Sequence, residues 1–399
     1  MTYIPRAEIP ITAFGDNRTA ELTPVIQQSF EFTVDNTALN TNTETAGGTV
    51  TQATGMAVVG TSTTTGSVGM LQSKRHAKYR TGLGGLMRFT TLFTTSVASS
   101  EQYAGLADEV GSSAAFENGY MVGYDGTAFG FHRFQNDSKT SVAQTAWDDP
   151  LDGTGESGMT LDATKLNVWE IRFQYLGAGK IDLCVESTST GLFVVVHTIH
   201  YANLFTTPST YNPNFHATFF VDNKATTTDL VLNTASYAYF IEGKTKYYEL
   251  QQPQFATGEQ QKTTVTTEVA IVTIRNKATY ASKTNFIDVL AELVTGSIEA
   301  SNANNLGKVR MVRNATLGGS PSYTDIDATD SVVDMDTAGT TVTGGIELFS
   351  LPLAGKNDRV FANVVPFEII LAPGETLTVA GTSAGSATIN ASLLWKELF

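Results

Sequence analysis

The stretch that decides the fold is Gly119-Tyr-Met-Val-Gly-Tyr124, followed by Asp125-Gly126 and Ala128-Phe-Gly-Phe-His-Arg-Phe-Gln135. Two runs rich in aromatic residues flank a dipeptide whose glycine adopts a positive φ at little cost, which is the pattern of a β-hairpin. Farther along, Asn167-Val-Trp-Glu-Ile-Arg-Phe-Gln-Tyr-Leu176 alternates apolar and polar side chains. The period of two predicts a strand with one aromatic face, headed by Trp169, that is turned toward a core.

Similar strand patterns recur along the whole chain and predict an all-β protein. About a dozen short strands between residues 25 and 241 favour a two-sheet antiparallel jelly roll. Residues 242–263 are polar and aperiodic, as expected of a linker. The β pattern then restarts, and residues 264–399 are predicted to form a smaller second sandwich. Residues 1–24, which contain three prolines, are expected to form an extended N-terminal arm.

Two regions have patterns that also suit a helix. Phe286 to Val294 is predicted to be a strand from its composition, although the spacing of its apolar residues also suits a helix. The segments from Glu101 to Glu109 and from Ser112 to Glu117 are expected to hold a short turn of helix. All other elements are predicted to be strands.

Charge and composition narrow the classes of partner. The net charge is −14 and the pI is about 4.8, which argues against general nucleic-acid binding, because phosphate recognition needs clustered Lys and Arg. The basic cluster from Lys74 to Arg80 is interpreted as a solvated strand or as a contact with an acidic neighbouring subunit. No apolar run is long enough to span a bilayer, and Met1 to Pro10 lack a secretory pattern. We therefore expect a protein that is made in a cytoplasm and used in soluble form.

Residues with catalytic or metal-binding potential are few. Cys184, the single cysteine, lies between Leu183 and Val185 and is predicted to be a small buried residue without a disulfide. No cofactor is predicted. The acidic loop that begins at Trp147 contains Asp148, Asp149 and Asp152. These carboxylates suit turns, which is the favoured interpretation, but calcium binding and a glycosidase acid pair both stay open.

The N-terminal arm carries more large apolar side chains than a disordered tail normally does. We expect these side chains to contact either the chain's own sandwich or a neighbouring subunit. They are Tyr3, Ile4, Ile9, Ile11 and Phe14.

The order Trp147-Asp-Asp-Pro-Leu-Asp-Gly-Thr-Gly155, Ser157-Gly-Met-Thr160, Asn167-Val-Trp169 and Phe173-Gln-Tyr-Leu-Gly177 resembles a recurrent sandwich module. This is the concanavalin/laminin-G-like module of virion structural proteins in tailed bacteriophages, and the resemblance covers roughly residues 20 to 240. It implies a place on the virus particle, contacts with other virion proteins and with copies of the chain itself, and a trimeric state. It carries over no catalytic residue.

Three functions are therefore weighed. The leading hypothesis is a non-enzymatic phage virion structural protein, exposed as a capsid decoration, head fibre, tail fibre or adaptor. The alternative is a carbohydrate-binding module that recognises a host-surface glycan, which requires four aromatic side chains to share one exposed face. These are Tyr124, Phe129, Trp147 and Tyr211. The third hypothesis is a polysaccharide-degrading enzyme of the phage depolymerase kind.

Overall fold

The computed structural model describes residues 21–36, 39–243, 252–300 and 305–399. The chain divides into two compact units, Met1–Thr245 and Lys246–Phe399. Within the described ranges the regular elements are strands and two short 3₁₀ turns, Gln144–Ala146 and Val365–Phe367. None of the helical segments in these ranges has the length or apolarity of a membrane span.

The first unit contains two antiparallel sheets. Its strands are β1 (Leu22–Ser29), β2 (Asn40–Thr45), β3 (Thr49–Ala53), β4 (Met56–Gly60), β5 (Val68–Ser73), β6 (Gly84–Phe93), β7 (Glu101–Ala107), β8 (Gly119–Asp125), β9 (Ala128–Phe134), β10 (Lys139–Ala143), β11 (Asn167–Phe173), β12 (Ile181–Glu186), β13 (Phe193–Ile199), β14 (His216–Asp222), β15 (Val231–Thr234) and β16 (Ser236–Glu242). The nine-stranded sheet has the order β13-β12-β11-β6-β15-β4-β3, with β16 also paired to β6 and β1 paired to β16. The seven-stranded sheet has the order β10-β9-β8-β7-β14-β5-β2.

The core of the first unit lies between these sheets. Phe89 of β6 meets Phe219 of β14 across the interface, with ring centroids 6.1 Å apart. Trp169 is fully buried and donates its indole N–H to Thr91 Oγ1 at 2.9 Å, so the predicted inward face of β11 is confirmed. The β8–β9 hairpin is also as predicted, because Asp125 pairs with Ala128 and Gly126 takes a φ of +60°.

The second unit is a smaller sandwich. Its strands are β17 (Gln254–Ala256), β18 (Gln260–Val265), β19 (Val269–Asn276), β20 (Thr279–Tyr280), β21 (Lys283–Thr284), β22 (Asp288–Ala300), β23 (Gly307–Arg313), β24 (Thr316–Leu317), β25 (Thr324–Asp325), β26 (Val333–Asp336), β27 (Val342–Thr343), β28 (Ile346–Leu353), β29 (Arg359–Asn363), β30 (Ile370–Leu371), β31 (Thr376–Ser383) and β32 (Ala387–Leu398). One sheet has the order β17-β32-β22-β29, with β18 also paired to β32 and β30 to β22. The other has the order β25-β26-β19-β31-β23-β28. The predicted fold class, an all-β chain with a larger antiparallel sandwich followed by a smaller β-sandwich, is confirmed.

The helical turn expected between Glu101 and Glu109 is wrong, because Glu101–Ala107 form strand β7. Ala104 and Leu106 face the core between the sheets. Tyr103 and Ala107 pack in a second apolar cluster on the opposite face, which includes Phe116. Because both faces of β7 are buried, its sequence does not alternate between apolar and polar residues, and the strand could not be recognised from that pattern.

Strand β22 explains the ambiguous spacing near Phe286. Its pairing with β32 shifts register between Ala291 and Leu293, which is a β-bulge. The bulge places Val289, Ala291 and Val294 on the same buried side, at intervals of two and three residues. A bulged strand therefore gave the apolar spacing of a helix.

Strands also occupy parts of the predicted arm and linker. Strand β1 begins at Leu22 and pairs with β16, with Pro24 at a register shift, where a missing N–H costs little. Strands β17 and β18 lie largely within the predicted linker, residues 242–263. These residues form strands because they pair with the C-terminal strand β32. The predicted contact residues of the arm lie outside the described residues. They are Tyr3, Ile4, Ile9, Ile11 and Phe14.

Candidate functional site

The carboxylates of the acidic loop accept hydrogen bonds from the backbone. Asp148 Oδ2 accepts from the Thr198 N–H at 2.8 Å, and Asp152 Oδ1 accepts from the Thr154 N–H at 2.9 Å. Asp149 is buried, which acts to raise its pKa. Hydrogen bonds from Ser157 and Leu151 together outweigh that effect, and the pKa of Asp149 is below its ordinary value. Asp149 and Asp152 thus have the local role of turn-forming side chains, whereas Asp148 connects the loop to strand β13.

These three carboxylates were also the calcium candidates. Within the described parts of the chain, no group of three or more His, Cys, Asp or Glu side chains is arranged to hold a metal ion. Asp148, Asp149 and Asp152 accept from three different backbone segments. Calcium binding by this loop stays a prediction.

The four aromatic residues proposed for glycan binding do not share an exposed face. Phe129 and Trp147 are buried in the core of the first unit, with ring centroids 6.0 Å apart. Tyr124 packs edge-on against Phe129 at 4.9 Å. Tyr211 alone of the four is exposed, with 54% of its surface accessible. The four aromatic rings therefore do not form the exposed glycan-binding face that this hypothesis requires, because Phe129 and Trp147 lie in the core between the sheets.

The basic cluster is not a solvated strand. His76, Lys78 and Arg80 are buried, and the segment is irregular apart from one bridge between Ala77 and Phe215. The His76 ring lies 4.1 Å from the ring of His216. The cluster is therefore built into the first unit.

The outer face of the nine-stranded sheet carries a row of ion pairs, which we call the charged face. Glu170 of β11 has a fully buried side chain and contacts both Arg88 of β6 and Arg172 of its own strand. The Glu170 Oε2 atom lies 2.5 Å from Arg88 Nε. On the neighbouring strand β12, Asp182 Oδ2 lies 2.6 Å from Lys180 Nζ. Acid and base are therefore matched within this face.

Cys184 lies on the charged face, opposite Glu170 in the strand register. It is fully buried, as predicted, but it belongs to this polar row rather than to the core between the sheets. Burial raises the pKa of the Cys184 thiol to about 12. The sulfur is therefore a neutral thiol at physiological pH and a poor nucleophile.

A different surface forms at the end of the first unit where four loops meet. The loops are 108–118, 135–138, 174–180 and 200–215, which connect strands at one end of the two sheets. Large apolar side chains stand exposed on them, and we call this set the loop-end surface. Its members are Val110, Leu176, Leu204, Phe205 and Tyr211.

Asp108 and Asn118 fix the backbone beneath this surface. Asp108 accepts hydrogen bonds from the Asn118 N–H at 2.7 Å and from the Asn118 side-chain amide at 2.8 Å. Asn118 Oδ1 in turn accepts from the Tyr211 N–H at 2.9 Å and from the Asn136 N–H at 3.2 Å. Three of the four loops are thus joined through one buried amide.

Asp108 is a carboxylic acid that is buried beneath the loop-end surface. Its burial raises its pKa to about 7, although hydrogen bonds from Asn118 and Asn212 act in the opposite direction. The carboxyl group therefore titrates near neutrality, and it holds a proton at mildly acidic pH.

Arg133, Tyr201 and Phe205 form a stack at the same end. The Phe205 ring lies on the Tyr201 ring with centroids 4.3 Å apart and an angle of 22° between them. The Arg133 guanidinium lies 5.2 Å from the Tyr201 centroid and donates to Ser209 O at 3.0 Å. Arg133 is buried, so it holds the Tyr201 ring in place, and Tyr201 in turn supports one side of the Phe205 ring. The Phe205 residue nevertheless stays 55% accessible.

The sequence pattern did not identify Leu204 and Phe205. The available signal was an apolar pair inside a polar, turn-rich segment that ends in Thr206-Thr-Pro208. Such a pair is as compatible with burial as with exposure. Its position on the surface depends on the stack with Tyr201, which the sequence alone does not specify.

Comparison with known proteins gives structural neighbours only. No known family model matches the chain, and no curated protein sequence matches it. Lectin II from Ulex europaeus is similar at 12% identity and a TM-score of 0.36, over 55% of this chain and 100% of that one. The carbohydrate recognition domain of Emp47p has 10% identity and a TM-score of 0.36, over 56% and 97%. A protein from Mycobacterium abscessus named as a β-glucanase has 10% identity and a TM-score of 0.36, over 54% and 100%. Similarities this low identify neither a ligand nor an activity for this chain.

Proposed function

We propose that the protein is a non-enzymatic structural component of a bacteriophage particle, assembled in the host cytoplasm and exposed on the virion. In this role it acts through contacts with other virion proteins and with copies of itself. The loop-end surface is the observation that carries the proposal. Apolar side chains such as Leu204 and Phe205 are exposed there, on loops that buried hydrogen bonds hold in place. Exposed apolar groups that cluster in this way are typical of interaction sites.

The ordered backbone beneath the loop-end surface is as important for binding as the exposed apolar side chains. Binding has to offset the entropy lost when loops and side chains become ordered. Here Asp108 and Asn118 already join the loops, and Tyr201 already supports Phe205. These loops and side chains are therefore already ordered before a partner covers the loop-end surface. The entropy cost of binding is small as a result, which favours binding.

A paired substitution tests the contact role of this surface. The double variant Leu204→Ser and Phe205→Ser should lower incorporation into particles by at least tenfold, as measured by quantitative immunoblotting of purified virions. The matched control is Leu192→Ser, which replaces a side chain of 69% exposure at the opposite end of the β12–β13 hairpin. Equal incorporation of the double variant and the control would contradict the proposal.

The non-enzymatic part of the proposal has its own test. Purified protein is incubated with host capsule or cell-wall polysaccharide, and reducing ends are measured over time. We expect no increase above that given by heat-denatured protein. A time-dependent release of reducing sugar would overturn this part and favour the depolymerase hypothesis.

The partner of the N-terminal arm is proposed to be a second copy of the chain within a trimer. Buried side chains of the size found in the arm contribute about 1.5–3 kcal/mol each. Deletion of residues 1–20 should leave the circular dichroism spectrum unchanged while light scattering shows a shift from trimer to monomer. A deleted protein that remains trimeric would show that the arm covers its own unit instead.

Recognition of a host-surface glycan is the second candidate function. The observation that favours it is the supported ring of Phe205, which is flanked by polar groups. Gln135 donates its side-chain amide to Thr207 Oγ1 at 3.1 Å and to Tyr201 OH at 3.3 Å. An exposed ring bordered by hydroxyl and amide groups suits the apolar face and the hydroxyls of a sugar. Binding on a glycan array that Phe205→Ser abolishes would support this function, and an array without signal would contradict it.

A further inference from the structure

A cleft of about 350 Å³ lies on the outer face of the β17-β32-β22-β29 sheet in the second unit. Val294, Ile298 and Ile389 point from these strands into the core of the unit. Their neighbours along the strands therefore point outward and form the floor of the cleft. The floor and rim residues are Thr295, Ser297, Arg359, Phe361, Asn390 and Ser392.

The strand register arranges these side chains in two parallel rows. Phe361, Thr295 and Ser392 lie side by side on β29, β22 and β32. The second row, two residues farther along, consists of Arg359, Ser297 and Asn390. Standard spacings within a sheet give this grid dimensions of about 7 Å by 10 Å. The area suits one ring-shaped ligand of small size.

The floor retains capacity for hydrogen bonds. Thr295 Oγ1 and Ser392 Oγ lie 2.7 Å apart, and because one hydroxyl donates to the other, one O–H of the pair stays available. The side-chain amide of Asn390 donates to Ser297 Oγ at 3.1 Å and to Glu299 Oε1 at 3.3 Å. No described residue donates to its carbonyl oxygen, which leaves that oxygen available as an acceptor. Asn390 is itself 5% exposed, which fixes the position of that acceptor.

The rim supplies an aromatic ring and both signs of charge. Phe361 is 78% exposed on the edge strand β29. Arg275, Arg310 and Arg313 of the same unit are each paired with a carboxylate. By contrast, the Arg359 guanidinium makes no ion pair with any described residue. Glu259 also lines the cleft and is likewise unpaired within the described ranges.

We propose that this cleft binds a single residue of a neutral glycan. Each hydroxyl of a sugar both donates and accepts hydrogen bonds, and the cleft offers donors in Arg359 and the hydroxyl pair and acceptors in Asn390 and Glu259. The apolar face of the sugar ring lies on Phe361. The presence of one cation and one anion at the rim favours a neutral sugar over a charged one. This site is separate from the loop-end surface and does not depend on it.

The full chain is the material for the test. Methyl glycosides of glucose, galactose, mannose and N-acetylglucosamine serve as probes, each at up to about 50 mM, because an open site for one ring is expected to bind weakly. Saturation-transfer NMR detects binding, and calorimetry measures the affinity. At least one probe should bind saturably, and Phe361→Ser should weaken it at least tenfold.

The matched control is Phe367→Ser, which removes an exposed phenylalanine of the same unit that does not line the cleft. It should leave the affinity unchanged, whereas Arg359→Gln should weaken binding several-fold without loss of the folded spectrum. The absence of binding by all four probes would overturn the proposal. Equal affinity of the Phe361→Ser and Phe367→Ser proteins would overturn it as well.

Discussion

The charged face and the loop-end surface belong to one sandwich but present opposite chemistries. On the charged face, Glu170 is held between Arg88 and Arg172, and the charges are matched within the chain. On the loop-end surface, Phe205 and Tyr211 are more than half exposed although the backbone beneath them is fixed. A surface whose groups are satisfied internally stabilises the fold, whereas fixed apolar groups in water are suited to a partner.

Trp169→Ala should have the largest effect, since it removes the large side chain of a residue in the core between the two sheets. The side chain is fully buried between the sheets and its N–H is bonded to Thr91. Loss of the ring should leave a cavity and cost about 3–5 kcal/mol of the free energy of unfolding. Urea denaturation of the full chain measures this, and an unchanged first transition would contradict the inward position of Trp169.

Asp108 should give the loop-end surface a dependence on pH. Its folded pKa is raised to about 7, above the ordinary value of 3.8, so the folded state binds a proton more tightly than the unfolded state does. The stabilisation is full below about pH 4 and is lost as the pH rises to about 7. Integrated over this window, it amounts to roughly 4 kcal/mol.

Asp108→Asn isolates this contribution, because the asparagine does not titrate. Urea denaturation of both proteins at several pH values between about 4 and 8 gives the difference in stability. The wild type should lose stability relative to the variant as the pH rises. A constant difference across the window would contradict the assignment.

Glu170→Gln should have a smaller effect on stability. The change leaves Arg88 and Arg172 without their shared carboxylate, but these side chains are 41% and 37% exposed and regain water. We expect a loss of about 1–2 kcal/mol. Glu186→Gln, an exposed position on the same face, is the control and should change stability by less than about 0.5 kcal/mol.

Phe205→Ser should have the smallest effect on stability, within about 0.5 kcal/mol of wild type, because the ring is already largely in water. Its effect should instead appear in binding or particle incorporation. This separation of stability from contact function distinguishes the two surfaces. A loss of several kcal/mol would show that Phe205 belongs to the core.

The elements that could be predicted from sequence were those governed by local rules. The β8–β9 hairpin followed from Asp125-Gly126, and β11 followed from strict alternation around Trp169. Strand β7 was missed because both of its faces are buried, and the bulge in β22 produced helical spacing. In each failure, tertiary packing changed the pattern on which the prediction depended.

The candidate sites were harder to predict for the same reason. The raised pKa of Asp108 arises from burial. The hydrogen bond from Asn212, which is 104 residues away in sequence, acts against it. The glycan-binding hypothesis required Phe129 and Trp147 to lie at a surface, but they lie in the core, while Phe205 was overlooked and is exposed. Residue type indicates what a side chain can do, but exposure decides whether it is free to do so.

The most direct test of the central claim is the copy number of this chain in purified phage particles. Quantitative mass spectrometry with isotope-labelled peptides compares its amount with that of the major capsid protein. The account predicts a fixed ratio that is reproduced between preparations and is a multiple of three copies per particle. Absence of the chain from particles, with the protein found only in the lysate, would contradict a structural role on the virion.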